Sequence, residues 1–309
     1  MKTYARDENT WRRYQPFLSD KLRLTDNNLP TESRWAFRDL SIHIDHYENP
    51  NKRTVIVCHG GGSYGRFLAP LVRFLADAGY NVVLPDLPGY GLSEAPSSRI
   101  RYPLWVETVA ELAKQEKAAT GLPVVLLGMS MGGMLTVHAA SAAPLGTVAA
   151  IVTTTLMDPR DPDVRAAASG SSATPLRLLS LLSWVRLPVR RLASVHAMSS
   201  IAEVNKLSEY DPMGGGNSVP IGFFLSWMQY TPPLEFEKFD RCPILLAHPA
   251  ADRWTPTALS KRSLDRFTVP TRLVELPKCE HLPIEEPGVS LFQSTTLEFL
   301  EAFPNQATP

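Results

Sequence analysis

Apolar residues in this chain fall into short continuous runs, and these runs alternate with stretches of helical periodicity. A continuous apolar run of four to eight residues is typical of a strand buried on both faces, whereas apolar positions three and four apart indicate a helix. The alternation predicts an α/β fold with a mostly parallel central sheet flanked by helices. The expected strands are 40–47, 54–60, 80–86, 123–129, 148–155, 243–249 and 271–277, and the expected helices are 66–79, 103–119, 131–143, 257–267 and 288–303.

The alternation stops between residues 157 and 241, where no run is typical of a core strand. Leu178, Leu181, Leu182 and Val185 share one face of a predicted helix in this region. We therefore interpret 157–241 as an inserted helical cap. Its apolar face either packs on the main domain, or forms a lid that lines a lipophilic pocket or makes transient contact with a membrane surface.

Three further segments complete the predicted domain organisation. The stretch "IGFFLSWMQY", residues 221–230, is rich in aromatic side chains and favours an apolar pocket beneath the cap. The α/β core is then formed by residues 1–156 and 242–309. Within the first part, residues 1–36 are expected to be an N-terminal arm anchored by aromatic residues, namely Trp11, Tyr14, Phe17 and Trp35.

Composition and charge narrow the choice of partner. The 309 residues include 31 basic and 31 acidic side chains, with no long run of one sign, so neither a nucleic acid nor a polybasic lipid anchor is indicated. No apolar run reaches the roughly 18 residues of a membrane span, and the N-terminus lacks the apolar centre of a signal peptide. The three cysteines fit reduced thiols. We expect a cytoplasmic protein that acts on a small neutral molecule.

The candidate chemistry centres on the stretch "PVVLLGMSMGGMLTVHAA", which predicts a buried strand, a sharp turn and a helix. Ser130 lies at the turn, between Gly128 and Gly132. Small residues suit a turn that projects one side chain from a strained backbone, and the helix that follows directs its first N–H groups towards the site. A serine becomes a strong nucleophile only beside a base, and that base needs a third group to orient it.

The chain resembles the α/β-hydrolase family over nearly its full length. The motifs that carry the resemblance are "VIVCHGGG" with the later "LPDLPGYGLSE", "GMSMGG", "HPAADRWTP" and "KCEHLPIEEP", each at the end of a predicted strand. In this family a nucleophile is followed along the chain by an acid and then by a histidine. The resemblance implies that Ser130, Asp252 and His281 are the catalytic residues, and that the backbone N–H groups of Gly61 and Met131 form the oxyanion hole.

The sequence contains other acids and histidines that could fill the same roles. Asp158 follows the strand before the cap and is the alternative acid, but "ADRWTP" resembles the usual acid loop and favours Asp252. His248 lies four residues before Asp252 and is interpreted as a packed strand residue. Structural roles are expected for the remaining histidines, which are His43, His46, His59, His138 and His196.

These features predict a serine hydrolase that cleaves carboxylic esters with a lipophilic acyl group through an acyl-enzyme. No metal and no organic cofactor are expected. Alternatives within the same chemistry are a lactone hydrolase acting on N-acyl homoserine lactones, a carbon–carbon bond hydrolase and a cofactor-free acyltransferase. A different class, a non-catalytic receptor for a small ligand, stays open as well.

Overall fold

The computed structural model describes residues 2–169 and 180–303, and its centre is an eight-stranded sheet. The order across the sheet is β1-β2-β4-β3-β5-β6-β9-β10, and all neighbours from β4 to β10 are parallel. Only β1 and β2 run antiparallel to their neighbours. The strands are β1 (Thr31–Phe37), β2 (Leu40–Tyr47), β3 (Thr54–Cys58), β4 (Asn81–Pro85), β5 (Val124–Gly128), β6 (Val148–Thr153), β9 (Ile244–Pro249) and β10 (Thr271–Leu276).

Helices cover both faces of the sheet, as the alternating pattern predicts. Along β3, Val55 and Val57 belong to one apolar cluster while Ile56 and Cys58 belong to the other, so a continuous apolar run serves two faces. The helices of the core are α1 (Gly65–Asp77), α2 (Tyr102–Thr120), α3 (Met131–Ala142), α7 (Thr257–Leu264) and α8 (Gly288–Glu301). Together these elements confirm the predicted mostly parallel sheet. Within the described residues, no helix is both long and apolar enough to cross a bilayer.

The region 157–241 adds no strand to the central sheet in the part of it that the structure describes. It contains α4 (Pro162–Ser169), α5 (Ala202–Tyr210) and α6 (Ile221–Met228), with a small antiparallel ribbon of β7 (Arg186–Pro188) and β8 (Ser218–Pro220).

The helix predicted from the leucine spacing in this region differs from the structure. Its beginning, including Leu178, lies outside the described residues. Residues 181–184 form a turn, and Leu181 and Trp184 are 74% and 72% exposed. Backbone carbonyl groups within 183–185 instead accept hydrogen bonds from N–H groups at the start of α6. These carbonyl groups are not paired within a helix, which explains why no helix continues here.

The N-terminal segment is anchored by aromatic residues, but it ends earlier than the sequence suggested. Trp11 and Tyr14 lie in a 3-10 helix, Trp11–Phe17, and both are buried. Trp35, by contrast, belongs to the edge strand β1, which pairs with β2. The expected boundary at residue 36 therefore falls inside the sheet, because a polar edge strand with one solvent-facing side lacks the apolar run of a buried strand.

The tight crossing of α3 over β6 gives a stability prediction. A Cβ on Gly133 would overlap with the carbonyl oxygen of Thr155 and the hydroxyl of Thr153, and a backbone oxygen cannot rotate away. We expect Gly133→Ala to lower the free energy of unfolding by about 3 kcal/mol in urea denaturation. Gly121→Ala is the control: no atom lies within 4 Å of its added Cβ, so only its φ of 74° opposes alanine and we expect about 1 kcal/mol. Equal losses in the two variants would contradict the steric argument.

Candidate active site

Ser130 stands on a strained turn between β5 and α3. Its φ of 56° and ψ of −133° are unusual for a residue with a side chain. The turn is held from β6 and the residues after it: Thr155 donates its hydroxyl to the Ser130 carbonyl at 2.7 Å, and the Ser130 N–H donates to the Thr154 hydroxyl at 3.3 Å. On either side, Gly128 and Gly132 approach neighbouring backbone so closely that a Cβ would collide with it. The small residues of the motif therefore make this strained turn sterically accessible.

The structure brings Ser130, His281 and Asp252 into one hydrogen-bonded chain. Ser130 Oγ lies 2.8 Å from His281 Nε2, and His281 Nδ1 lies 2.7 Å from Asp252 Oδ2. A carboxylate can only accept, so His281 Nδ1–H donates to Asp252 and leaves Nε2 to accept the proton of the Ser130 hydroxyl. His281 and Asp252 are buried, whereas Ser130 is partly exposed. This is the arrangement that activation of a serine by a base requires.

Asp252 is held as an acceptor of several hydrogen bonds. The N–H groups of Trp254 and Thr255 both donate to Oδ1 at 2.9 Å, and the Thr255 hydroxyl donates to Oδ2 at 2.6 Å. Burial alone would raise the pKa of Asp252, but the charge of His281 and the hydrogen bonds from His281 and Thr255 outweigh it. The pKa is lowered to about 2. Asp252 is therefore ionised throughout the neutral range.

Asp158, the alternative acid, is engaged elsewhere. Its carboxylate pairs with Arg160 at 3.0 Å and with Arg266 at 3.1 Å. These ion pairs connect the start of the region 157–241 to the segment that follows α7. Asp158 therefore does not share the contacts of the Ser130–His281 pair.

The other histidines occupy packed or solvent-facing positions. His248 is fully buried in β9, where its Nδ1–H donates to the carbonyl of Pro249 at 3.0 Å. His138 lies in α3 and bonds the Tyr102 hydroxyl at 2.9 Å, and burial lowers its pKa to about 3. His43 contacts Glu32 at 2.9 Å, His46 contacts Asn81 at 2.7 Å, and His196 is exposed.

The glycine loop after β3 lies directly against Ser130. A Cβ on Gly60 would be 2.9 Å from the Ser130 Cβ, and one on Gly61 would be 3.3 Å from the end of the Met131 side chain. The loop is fixed by His59, whose Nδ1–H donates to the carbonyl of Gly60 at 2.8 Å and whose Nε2 accepts the Leu87 N–H at 2.9 Å. Gly61 and Met131 are thus neighbours at the mouth of the Ser130 turn.

His59 gives a pH-dependent stability prediction. Complete burial lowers its pKa to about 4, from the ordinary 6.5, because a charged ring would be desolvated there. As the pH falls, His59 is protonated in the unfolded chain before it is protonated in the folded protein. Its contribution to the free energy of unfolding is therefore complete above pH 6.5 and is lost as the pH is lowered towards 4. We expect the free energy of unfolding to drop by roughly 2 to 3 kcal/mol over that interval from this residue.

Urea denaturation at several pH values measures the effect. His59→Gln should lower stability at pH 7 and make the curve flatter between pH 6.5 and 4. His196→Gln is the matched control, because it makes the same substitution at an exposed position and should keep the native curve. A curve in His59→Gln as steep as that of the native protein would contradict the assignment.

An apolar cavity opens at Ser130, and its empty space is about 700 Å³ when the part that is open to solvent is included. Thioether and aromatic side chains dominate its walls, and the cap region contributes part of them, as the aromatic stretch 221–230 predicts. The cavity is lined mainly by Met129, Met131, Met157, Met198, Phe224, Trp227 and Trp254, together with Gly61, Phe67, Val195, His281 and Leu282. Such a lining suits a flexible apolar ligand, because unbranched thioethers adapt to different shapes.

Two contributors to the site carried only weak signals in the sequence. Thr255 orients Asp252, and the ring of Trp254 lies 4.5 Å from that of His281 with an angle of 40° between them. An aspartate followed three residues later by threonine is a common turn pattern, so it does not by itself single out a functional residue.

Glu32, His43 and Asp45 lie close enough together to suggest a metal site. Arg66, however, takes both oxygens of Asp45, and the two nitrogens of His43 face Glu32 and Asp86. A cation would be repelled by this guanidinium and would have to displace existing ion pairs, so we assign no metal to the cluster.

Comparison with known proteins agrees with this architecture. The family model described as serine aminopeptidase, S33 (Hydrolase_4), matches residues 49–288. This match spans most of the chain, and the chain belongs to that family of α/β-hydrolases.

The similar proteins include esterases and lipases. A pimeloyl-[acyl-carrier protein] methyl ester esterase from Xanthomonas oryzae pv. oryzae is 41% identical over 90 residues, which is 29% of this chain and 32% of that protein. The match thus covers about a third of the relative. The monoacylglycerol lipase of Paleococcus ferrophilus superposes with a TM-score of 0.67 at 19% identity, over 84% of this chain and 98% of that one. A monoglyceride lipase from Saccharomyces cerevisiae gives 0.71 at 16% identity, over 92% and 98%. These likenesses show that the fold is shared over most of the chain.

Proposed function

We propose that this protein is a serine esterase that hydrolyses carboxylic esters with a lipophilic acyl group. The observation that carries the proposal is the chain Ser130–His281–Asp252 with its nucleophile facing an apolar cavity. The esterase and lipase relatives support the same class of reaction.

In the first half of the proposed reaction, Ser130 Oγ attacks the ester carbonyl while His281 Nε2 takes the hydroxyl proton. Asp252 holds the ring in the required tautomer and stabilises its positive charge. The N–H groups of Met131 and Gly61 donate to the oxyanion, a contribution for which one donor is typically worth about 3 kcal/mol. His281 then protonates the leaving alcohol, and an acyl-enzyme is formed.

In the second half, water attacks the acyl carbon and gives its proton to His281. The tetrahedral intermediate collapses, Ser130 recovers its proton from His281, and the carboxylic acid is released. The complete cycle therefore consumes only the ester and one water molecule.

The lining of the cavity favours an ester over a peptide substrate. An aminopeptidase must hold the charged N-terminal amine of its substrate, and a buried cation requires a counter-charge. Among the described residues that line the cavity, none is acidic. We therefore place the acyl chain, and not a cationic amine, in this cavity.

A fluorophosphonate probe followed by a panel of aryl esters tests the proposal. We expect the probe to modify Ser130, located by mass spectrometry of the labelled peptide, and octanoate esters to be hydrolysed with a higher kcat/KM than acetate esters. An acylated homoserine lactone in the same panel tests ring opening. Absence of labelling would favour the receptor alternative, and a preference for acetate would contradict the lipophilic acyl site.

The cellular setting and the cap are part of the same proposal. Cys58, Cys242 and Cys279 are free and buried, which fits the expected cytoplasmic location. Residues 157–241 act as the cap, with 1–156 and 242–309 as the core. The residues of 157–241 that line the cavity are Met157, Ala193, Val195 and Met198, together with Phe224 and Trp227 of α6.

A further inference from the structure

A second, smaller cavity lies beside the first, beneath the N-terminal arm. Its empty space is about 360 Å³ when the part that is open to solvent is included. Phe67 and Leu282 line both cavities, so these two side chains form the wall that the cavities share. The remaining walls come from the arm, from α1 and from α5, including Trp11, Tyr14, Leu18, Arg66, Leu71 and Val204.

Arg66 is the charged residue in this otherwise largely apolar lining, and it is fully buried. Its Nε and Nη2 donate to the two oxygens of Asp45 at 2.5 and 2.8 Å, and Nη2 lies 3.6 Å from Glu32. The rings of Trp11 and Tyr4 face the guanidinium at 5.2 and 5.4 Å. The remaining nitrogen, Nη1, is buried and finds no hydrogen-bond acceptor among the described residues.

A buried N–H group without an acceptor is unfavourable, so Arg66 Nη1 presents an unmet demand for an oxygen atom. The charge balance restricts which oxygen suits it. Three carboxylates, those of Asp45, Glu32 and Asp86, surround two basic groups, Arg66 and His43, so a further carboxylate would be repelled. The fitting partner is a neutral acceptor, such as a hydroxyl, ether or ketone oxygen, on an apolar chain.

We propose that the second cavity is a distal subsite for the far end of the acyl chain, where Arg66 Nη1 donates a hydrogen bond to a neutral oxygen. The chain runs from Ser130 through the first cavity and passes between Phe67 and Leu282. This inference rests on the proposed esterase function and specifies its substrate class as oxygen-bearing acyl chains of medium to long length.

A matched series of aryl esters tests the subsite. From hexanoate to hexadecanoate, each acyl chain is prepared with a methyl, hydroxyl, methoxy, carboxylate or ammonium end, and every kcat/KM is divided by that for butyrate. At the length that reaches the second cavity we expect hydroxyl and methoxy ends to exceed methyl by about tenfold, and carboxylate and ammonium ends to fall below it. Butyrate turnover reports the proposed function independently, so loss of the subsite and loss of esterase activity are distinguishable.

Val204→Phe, which fills the second cavity from α5, should remove the preference for hydroxyl and methoxy ends. Val185→Phe is the control, since it makes the same change in the cap region at a residue that lines neither cavity. In the native protein, 1,10-decanediol should also inhibit butyrate hydrolysis more strongly than 1-decanol. Equal turnover of all neutral ends, as expected if the cavity holds only water, would overturn the proposal. So would a preference for carboxylate, or a hydroxyl preference that survives Val204→Phe.

Discussion

Ser130→Ala should lower kcat for aryl ester hydrolysis on the order of 10⁶-fold while the protein stays folded. The alanine removes only Oγ, the atom that lies 2.8 Å from His281 Nε2, and leaves the strained turn with the same Cβ. His281 then has no nucleophile to activate, and only the binding and oxyanion contributions remain. Steady-state hydrolysis of an octanoate ester measures the loss, and fluorophosphonate labelling should disappear in parallel.

The control for this substitution is Ser141→Ala in α3, the helix that follows Ser130. Ser141 is buried, and its hydroxyl donates to the carbonyl of Val137 at 2.9 Å, one turn earlier in α3. The variant removes an equivalent hydroxyl at the far end of the helix, so kcat should stay within about twofold of the native value. Labelling that persists in Ser130→Ala would show that another nucleophile reacts and would contradict the proposed mechanism.

The sequence was most informative where structure is determined by local pattern. The run "TVIVC" predicts a strand with two buried faces, and β3 is such a strand, with alternate side chains in different clusters. The elbow at Ser130 could be recognised for a similar reason, since strand, glycines and helix are contiguous in the chain. The order of the strands across the sheet is harder to predict, but the alternation of strands and helices indicates that most neighbouring strands run parallel.

Interactions that join distant segments could not be predicted in this way. Tyr4 donates its hydroxyl to Asp86 at 2.7 Å, and its backbone N–H donates to Glu32 at 2.8 Å. Arg66 joins the same buried cluster through Asp45. None of these residues carries a periodic signal, so neither the cluster nor the second cavity beneath the arm is visible in the sequence.

Residues 180–188 show how a prediction from local pattern fails when tertiary contacts dominate. Leucines at helical spacing predicted a helix continuing through residue 185, yet residues 186–188 form β7, which pairs with β8. A three-residue strand is too short to produce a recognisable alternation. Helix propensity is a weak preference, and hydrogen bonds to β8 and α6 override it here.

Asp252→Asn should lower kcat by about 10⁴-fold at neutral pH, the second large effect that we expect. Trp254 and Thr255 donate their N–H groups to Oδ1, so the amide oxygen of asparagine is held at that position. The amide NH₂ then replaces Oδ2 and donates to His281 Nδ1. His281 must consequently carry its proton on Nε2, where it faces Ser130 and cannot accept the hydroxyl proton.

Asp158→Asn is the matched control, because it makes the same chemical change in the alternative acid. Asp158 pairs with Arg160 and Arg266, so its loss should reduce thermal stability while kcat changes by less than about tenfold. Both aspartates are buried, so ion pairing with arginines separates the two residues that the sequence offered for one role. Full activity in Asp252→Asn together with a large loss in Asp158→Asn would reassign the acid. Since Asp252 has a pKa of about 2, its contribution should persist to well below neutral pH, and any loss of activity near pH 6 must come from a different group.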